Sequence, residues 1–229
     1  GLPHDLHPVL SNFNYIIAAV KLNDEFVLVD ATDPLIGFGQ LPLHCINGRG
    51  RIIYSRKSSE WIELTNKEIS IAEYSFKGKL DLDGKLKGTL FIVSNGLDAL
   101  QKRKEILNFP SIEEYAENFD EKQSHLQILS SKVENVDNPD HMLSEEYEVE
   151  INVASPLKNG HVQFNPIFIS RINKNPFNLD ERNYDVDLGA KDTEKHFIEI
   201  ELPEGLTFKQ APKRVNMALP ENSARYQYI

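Results

Sequence analysis

Tyr15 and Asp30 are the two residues of this chain whose types and spacing could set up chemistry. Two β-rich runs, Tyr15–Leu22 and Glu25–Asp30, flank Asn23-Asp24, and Asn and Asp tolerate the positive φ that tight hairpin turns need. With the turn centred there, Asp30 falls opposite Ile17, and Tyr15 is its diagonal neighbour on the same face. Diagonal side chains start about 7–8 Å apart, so residues 15 and 30 can meet. An acid in that place can orient an imidazole for a nucleophile. Position 15, however, carries a phenol with an ordinary pKa of about 10, a poor general base at neutral pH. The plainer role for Asp30 is to begin a turn through side-chain to backbone bonds, as Asp and Thr commonly do.

The residues around this pair carry a resemblance. Phe13-Asn14-Tyr15-Ile16-Ile17-Ala18, Val29-Asp30-Ala31-Thr32-Asp33-Pro34, Phe38-Gly39-Gln40-Leu41-Pro42 and Asn47-Gly48-Arg49-Gly50 follow one another. Together they resemble the end of a transglutaminase-like domain, in the variant found in large multidomain envelope proteins of Gram-negative bacteria. The resemblance implies a Cys-His-Asp triad in which cysteine comes first, histidine starts one strand and aspartate ends the next. Asp30 matches the aspartate, and Tyr15 occupies the histidine position. The triad cysteine would lie upstream, because Cys45 follows the aspartate. Tyr15 and Asp30 are therefore expected to be triad-position remnants with no catalytic residue beside them. On this reading the chain is no enzyme, its parent is a candidate pseudoenzyme, and the compartment is the periplasm or cell envelope.

A second resemblance lies further on. Asn175-Pro176-Phe177, Arg182-Asn183-Tyr184-Asp185-Val186-Asp187 and Glu201-Leu202-Pro203-Glu204-Gly205-Leu206 look like the uncharacterised β domain that follows such cores. Physically, Pro after Asn fixes an extended turn, and Leu-Pro-x-Gly closes a strand.

Composition bounds the alternatives. Lysine and arginine number 25 against 35 acids, a formal net charge of −10. That field repels a phosphate backbone and anionic lipid, so no nucleic-acid partner is expected. Hydrophobic residues at 40% and charged residues at 26% fit a globular protein. No apolar run approaches the roughly 20 residues that span a bilayer as a helix. The single cysteine, Cys45, excludes an internal disulfide and a Cys-rich zinc site. A start at Gly1 and a strand-like end at Ile229 lead to the expectation of a piece of a longer protein.

The elements that must position Tyr15 and Asp30 follow from patterning. The hairpin runs are apolar on both faces, so both sides of it are expected to be buried. Residues 33–50, rich in Pro and Gly, read as a long ordered loop. Strands are expected at Arg51–Ser55, Trp61–Thr65 and Glu68–Phe76, and around a hairpin turn at Asp83-Gly84 that leads into Leu90–Val93. Asp98 can cap or open a helix through Leu107. Pro110 ends it, and Ser111 with Glu114 forms a capping box for a second. Short strands follow at Leu126–Leu129, Tyr147–Val153, His161–Phe168, Phe197–Leu202, Arg214–Leu219 and Arg225–Ile229. The expected fold class is mainly β (α+β), sandwich-like, with a small two-helix insert, after what the resemblance implies is a hairpin remnant of a transglutaminase-like core. Three regions are expected: 1–50, 51–120 and 121–229.

Smaller signals complete the reading. His4, Asp5 and His7 could clasp a metal but sit in an irregular lead-in, and Asp137, Asp140 and His141 read as a solvated turn. Asp81-Leu82-Asp83-Gly84 lacks the calcium-loop spacing. No cofactor and no metal is therefore expected. Trp61, Tyr74, Phe76 and Phe91 could line a sugar-binding face, although strand aromatics are more often core. His125, His161 and His196 have no evident partner in sequence. The leading expectation is an accessory and interaction region whose partners are the rest of its parent chain or another envelope protein. Two alternatives differ in class: part of an active cysteine peptidase or acyltransferase with an upstream Cys, and a carbohydrate-binding module with a glycan partner.

Overall fold

Asn23 and Asp24 take φ of 48° and 68°, the positive values that the hairpin turn requires. They join β1 (Ala18–Leu22) to β2 (Glu25–Val29), in a register running from Leu22 opposite Glu25 to Ala18 opposite Val29. The computed structural model describes residues 10–122, 125–152, 165–170, 174–175, 181 and 189–229. A second hairpin, β3 (Gly48–Ser55) with β4 (Ser58–Leu64), follows the Pro/Gly-rich loop. Leu28 of β2 packs with Leu41 and Cys45 of the loop, and Ile17, Ile46, Ile62 and Leu64 close around them. Asn66 fixes that loop: its Oδ1 accepts from the Leu41 amide at 2.7 Å and its Nδ2 donates to the Leu41 carbonyl at 3.0 Å.

The larger core is built on a five-stranded sheet. β5 (Ser70–Leu80) and β6 (Lys85–Ser94) form its central hairpin, closed by a turn in which Gly84 has φ +83°. The Asp81 carboxylate accepts the Asp83 and Lys85 amides at 3.0 and 2.8 Å. Two helices follow, α1 (Gly96–Ile106) and α2 (Ile112–Lys122), then β7 (Leu126–Glu134), β8 (Leu143–Asn152) and β9 (Asp192–Glu201). A last hairpin pairs β10 (Val215–Ala218) with β11 (Arg225–Tyr228). The sheet order is β7-β8-β6-β5-β9. All pairings are antiparallel except that of β5 with β9, which is parallel from Ser70 opposite Asp192 to Lys79 opposite Glu201.

Alternation decides which face is inside. Phe76, Leu80, Leu86, Leu90, Tyr147, Val149 and Ile151 share one face and pack against Ala99 and Ile106 of α1, Tyr115 and Ala116 of α2, and Ile169. The opposite face carries ion pairs such as Lys77–Glu199 at 3.0 Å and Lys87–Glu150 at 2.9 Å. Exposed pairs of this kind contribute only about 0–1 kcal/mol each. At the centre of the inner face Gly78 lies opposite Gly88. A Cβ on Gly88 would meet the Lys77 carbonyl oxygen at 2.2 Å and the Gly78 Cα at 2.5 Å, so the strands can approach only because neither residue has a side chain.

One buried polar group ties the helices to the sheet's far end. Arg103 is almost fully enclosed. Its Nε donates to the Asn135 carbonyl at 3.1 Å, and its Nη2 donates to those of Asn138 and His141 at 3.1 and 2.6 Å. The guanidinium therefore clamps the β7–β8 turn onto α1.

The chain is mainly β with two helices, as its patterning predicts, and the layer packed on the large sheet is the helix pair. Several finer expectations differ. β1 is exposed along its whole length, not buried on both sides. Among the described residues it pairs only with β2, and β2 reaches the small core through Leu28. The 50/51 division falls inside β3, and the 120/121 division falls within one structural unit, since β5 and β6 share a sheet with β7, β8 and β9. Asn95, not Asp98, precedes α1; its side chain accepts from the Ile71 amide, and Ser70 Oγ accepts from the Leu97 amide instead. Asp98 lies in the first turn. Ser111 does cap α2, accepting from the Glu114 amide at 3.2 Å. Of the strand expected at His161–Phe168, residues 161–164 lie outside the described residues and 165–168 are irregular.

Candidate functional site

The register that places Ala18 opposite Val29 carries Tyr15 and Asp30 onto one side of the hairpin's open end. There the Tyr15 hydroxyl donates to Asp30 Oδ2 at 2.9 Å. The Thr32 amide donates to Asp30 Oδ1 at 2.9 Å, closing a side-chain turn directly after β2. Thr32 Oγ1 lies 2.8 Å from the Tyr15 oxygen; with the phenolic proton directed at Asp30, the threonine hydroxyl is the donor in that contact. Asp30 is 8% exposed and Tyr15 38%. The next acid, Asp33, accepts the Leu35 amide at 3.0 Å and pairs with Lys104 of α1, anchoring the loop to the helical layer.

His44 completes the group. It sits in the single turn of 3-10 helix Leu43–Cys45, and its ring meets that of Tyr15 edge-on with centroids 4.7 Å apart. Cys45, the next residue, points into the small core at 4% exposure.

The electrostatics follow from these contacts. Burial acts to raise the Asp30 carboxyl, but the bonds from Thr32 and Tyr15, with His44 nearby, outweigh it and hold the group below the usual carboxylate range. Thr32's hydrogen bond acts to lower the Tyr15 phenol; Asp30's bond and charge, with partial burial, outweigh that and push it up. Burial, and secondarily Asp30, pushes the Cys45 thiol up. A protonated, enclosed thiol is a poor nucleophile, since the thiolate is the reactive form. Both Asp30 oxygens are engaged, the phenol keeps its proton, and the thiol is shielded. This arrangement suits the holding of a turn better than the transfer of protons.

Tyr15 and Asp30 thus meet as the hairpin register requires. His44 joins them unforeseen: nothing in a Pro/Gly-rich loop reveals where its residues return. The other candidates do not assemble. His4, Asp5 and His7 lie outside the described residues. Asp137, Asp140 and His141 occupy a turn, and no three His, Cys, Asp or Glu side chains among the described residues are grouped to hold a metal ion. Tyr74 and Phe76 face the core, Phe91 points to the opposite side of the same sheet, and Trp61 stands on β4 beneath Arg49 and Arg51. Those four aromatics form no common platform. His125 contacts the Phe168 carbonyl, His196 pairs with Glu194 and stacks on Tyr74, and His161 lies outside the described residues.

A further polar group lies inside the larger core. Glu145 of β8 is 1% exposed, and its Oε2 accepts from the Tyr115 and Tyr147 hydroxyls at 3.0 and 2.6 Å. The signal was present: Leu143, Glu145, Tyr147, Val149 and Ile151 share one phase of the strand, so the acid stands on the apolar face.

No helix among the described residues is long and apolar enough to cross a membrane. No curated protein matches the chain, and no solved structure matches it. Residues 160–229 match a family described as a Domain of Unknown Function with solved-structure structure (DUF3858), a stretch that supplies β9, β10 and β11 and contains Glu201–Leu206.

Proposed function

We propose that this chain is a non-catalytic accessory and interaction region of a transglutaminase-like envelope protein, in which Tyr15 and Asp30 are fold-holding remnants of a triad. The observation that carries the reading is the pairing of Asp30 with a phenol where a triad would need an imidazole. Both oxygens of the acid are engaged by neighbours that stabilise the hairpin's open end. The one cysteine supports the same reading, being enclosed and held protonated. Its partners are the remainder of a longer parent chain or another envelope protein, and its compartment is the periplasm or cell envelope.

Turnover by the purified chain tests this. Incubated with a peptide bearing glutamine and lysine, together with a labelled amine, it is expected to give no cleavage, deamidation or cross-link by mass spectrometry. Product that disappears with Cys45→Ser would overturn the proposal and make the chain a cysteine-dependent enzyme.

A further inference from the structure

A cleft of about 420 Å³ opens between α1, the inner face of the large sheet and the start of β9, and neither Tyr15 nor Asp30 lines it. Its volume lies in the range of small-molecule sites, roughly 300–1,000 Å³. Two observations about it are independent. The first is charge: among the described residues Asp98, Glu105, Glu145, Asp192 and Glu194 line it, against a single lysine, Lys102. The second is unmet bonding. Among the described residues, the buried side-chain atoms without a hydrogen-bond partner are Ser94 Oγ and Glu145 Oε1. Both residues line this cleft, at 5% and 1% exposure. A buried polar atom left unpaired costs about 1–3 kcal/mol, so two in one cleft call for a partner.

We propose that this cleft binds an aliphatic primary ammonium group, with Glu145 Oε1 and Ser94 Oγ as its acceptors. An ammonium carries three donors and no acceptor, which matches two unpaired oxygens and a surplus of carboxylates. The lysine already present fills the role only in part: its charge acts on Glu145, yet Glu145 Oε1 stays without a hydrogen bond. Lys102 Nζ is committed to Glu105 Oε2 at 2.9 Å and lies over the Tyr115 and Phe119 rings. The carboxylates stand at two levels. Glu145 is at the floor, while Asp98 and Asp192 have no ion-pair partner among the described residues. Burial, and then Asp192 and Glu194, pushes the Asp98 carboxyl up, a repulsion that a bound cation relieves. Ala72, Ile92 and the ring of Tyr74 add apolar wall to the cleft, suited to a methylene chain. A metal ion fits less well, since no three His, Cys, Asp or Glu side chains among the described residues group to ligate one. Burial also holds the Glu145 carboxyl up; an arriving ammonium favours the carboxylate and displaces its proton to solvent.

The test titrates the full 229-residue chain with 1,5-diaminopentane, with Nα-acetyl-lysine methylamide and with 1-pentanol, followed by calorimetry and by NMR shifts of the cleft residues. At least one of the two amines is expected to bind saturably, while the neutral alcohol does not. Binding of the diamine alone identifies a free amine as ligand; binding of the lysine analogue, alone or with the diamine, identifies a protein side chain. Ser94→Ala is expected to weaken binding about 10–100-fold, the loss of one hydrogen bond to a charged donor. Glu145→Gln is expected to weaken it more. Should Glu145→Gln fail to fold, Ser94→Ala and the rim variant Asp98→Asn carry the test. No saturable amine binding, equal binding of pentanol, or amine affinity unchanged in every folded variant would overturn the proposal.

Discussion

The Tyr15 hydroxyl and the Asp30 carboxylate, fifteen positions apart in the chain, meet at 2.9 Å across the open end of the first hairpin. Phenol to carboxylate is a one-way bond, since the carboxylate can only accept. Thr32 then fills the second carboxylate oxygen and the phenolic lone pair. The result is a closed set in which both carboxylate oxygens and the phenol are occupied by one another and by Thr32.

Because Asp30 titrates below the ordinary carboxylate range in the folded chain, its bonds add stability above the unfolded-state value. That stability is lost as pH falls through the depressed folded value. Asp30→Asn is therefore expected to lower stability by about 1–2 kcal/mol at pH 7, with the gap to wild type closing in acid. Urea unfolding at pH 7 and pH 3 measures it. A gap that widens in acid would contradict the assignment.

Cys45 is expected to react slowly with a disulfide reagent at pH 7 in the folded chain, and rapidly once unfolded. Enclosure and a raised thiol value act in the same direction. A fast stoichiometric burst in native buffer would show a reactive thiolate instead.

Glu145 separates two effects of burial. Its carboxyl is pushed up chiefly by desolvation, so the folded chain keeps a proton that the unfolded chain has lost. Its contribution to stability therefore falls as pH rises from the ordinary glutamate value through the raised folded one. Glu145→Gln retains an acceptor for both tyrosines and removes the charge. It is expected to match wild type near pH 4 and to exceed it at pH 8. Glu145→Ala strands the Tyr115 and Tyr147 hydroxyls and is expected to cost about 2–4 kcal/mol. Denaturant midpoints at the two pH values distinguish these outcomes; a glutamine variant weakened only at pH 8 would contradict the raised value.

Arg103 satisfies three carbonyls with a planar fork that lysine lacks. Arg103→Lys is expected to cost about 1–2 kcal/mol and Arg103→Ala about 3–4 kcal/mol. Amide exchange across 135–141 is expected to rise in both. Exchange unchanged in the alanine variant would show that the turn holds without the clamp.

What the sequence revealed and what it hid divide along locality. The Asn23-Asp24 turn, the Asp83-Gly84 turn and the Ser111 cap are each specified by adjacent residues, and each forms where those residues predict. Tyr15 reaches Asp30 because hairpin register is arithmetic once the turn is known. The parallel pairing of β5 with β9 is set instead by packing between distant segments, as when Ile198 comes to lie beside Phe76, and no local pattern encodes it. The exposure of β1 was hidden for a related reason: an apolar strand states its preference for cover, not whether a layer lies over it.

The most direct measurement of the central claim is a double-mutant cycle on Tyr15→Phe and Asp30→Asn, read by equilibrium unfolding at pH 7. If the phenol is the acid's structural partner, the two losses are expected to be non-additive, with a coupling of about 0.5–1.5 kcal/mol. Additive losses would mean that the two side chains do not act on one another, and the account of Asp30 as a fold-holding remnant would fall.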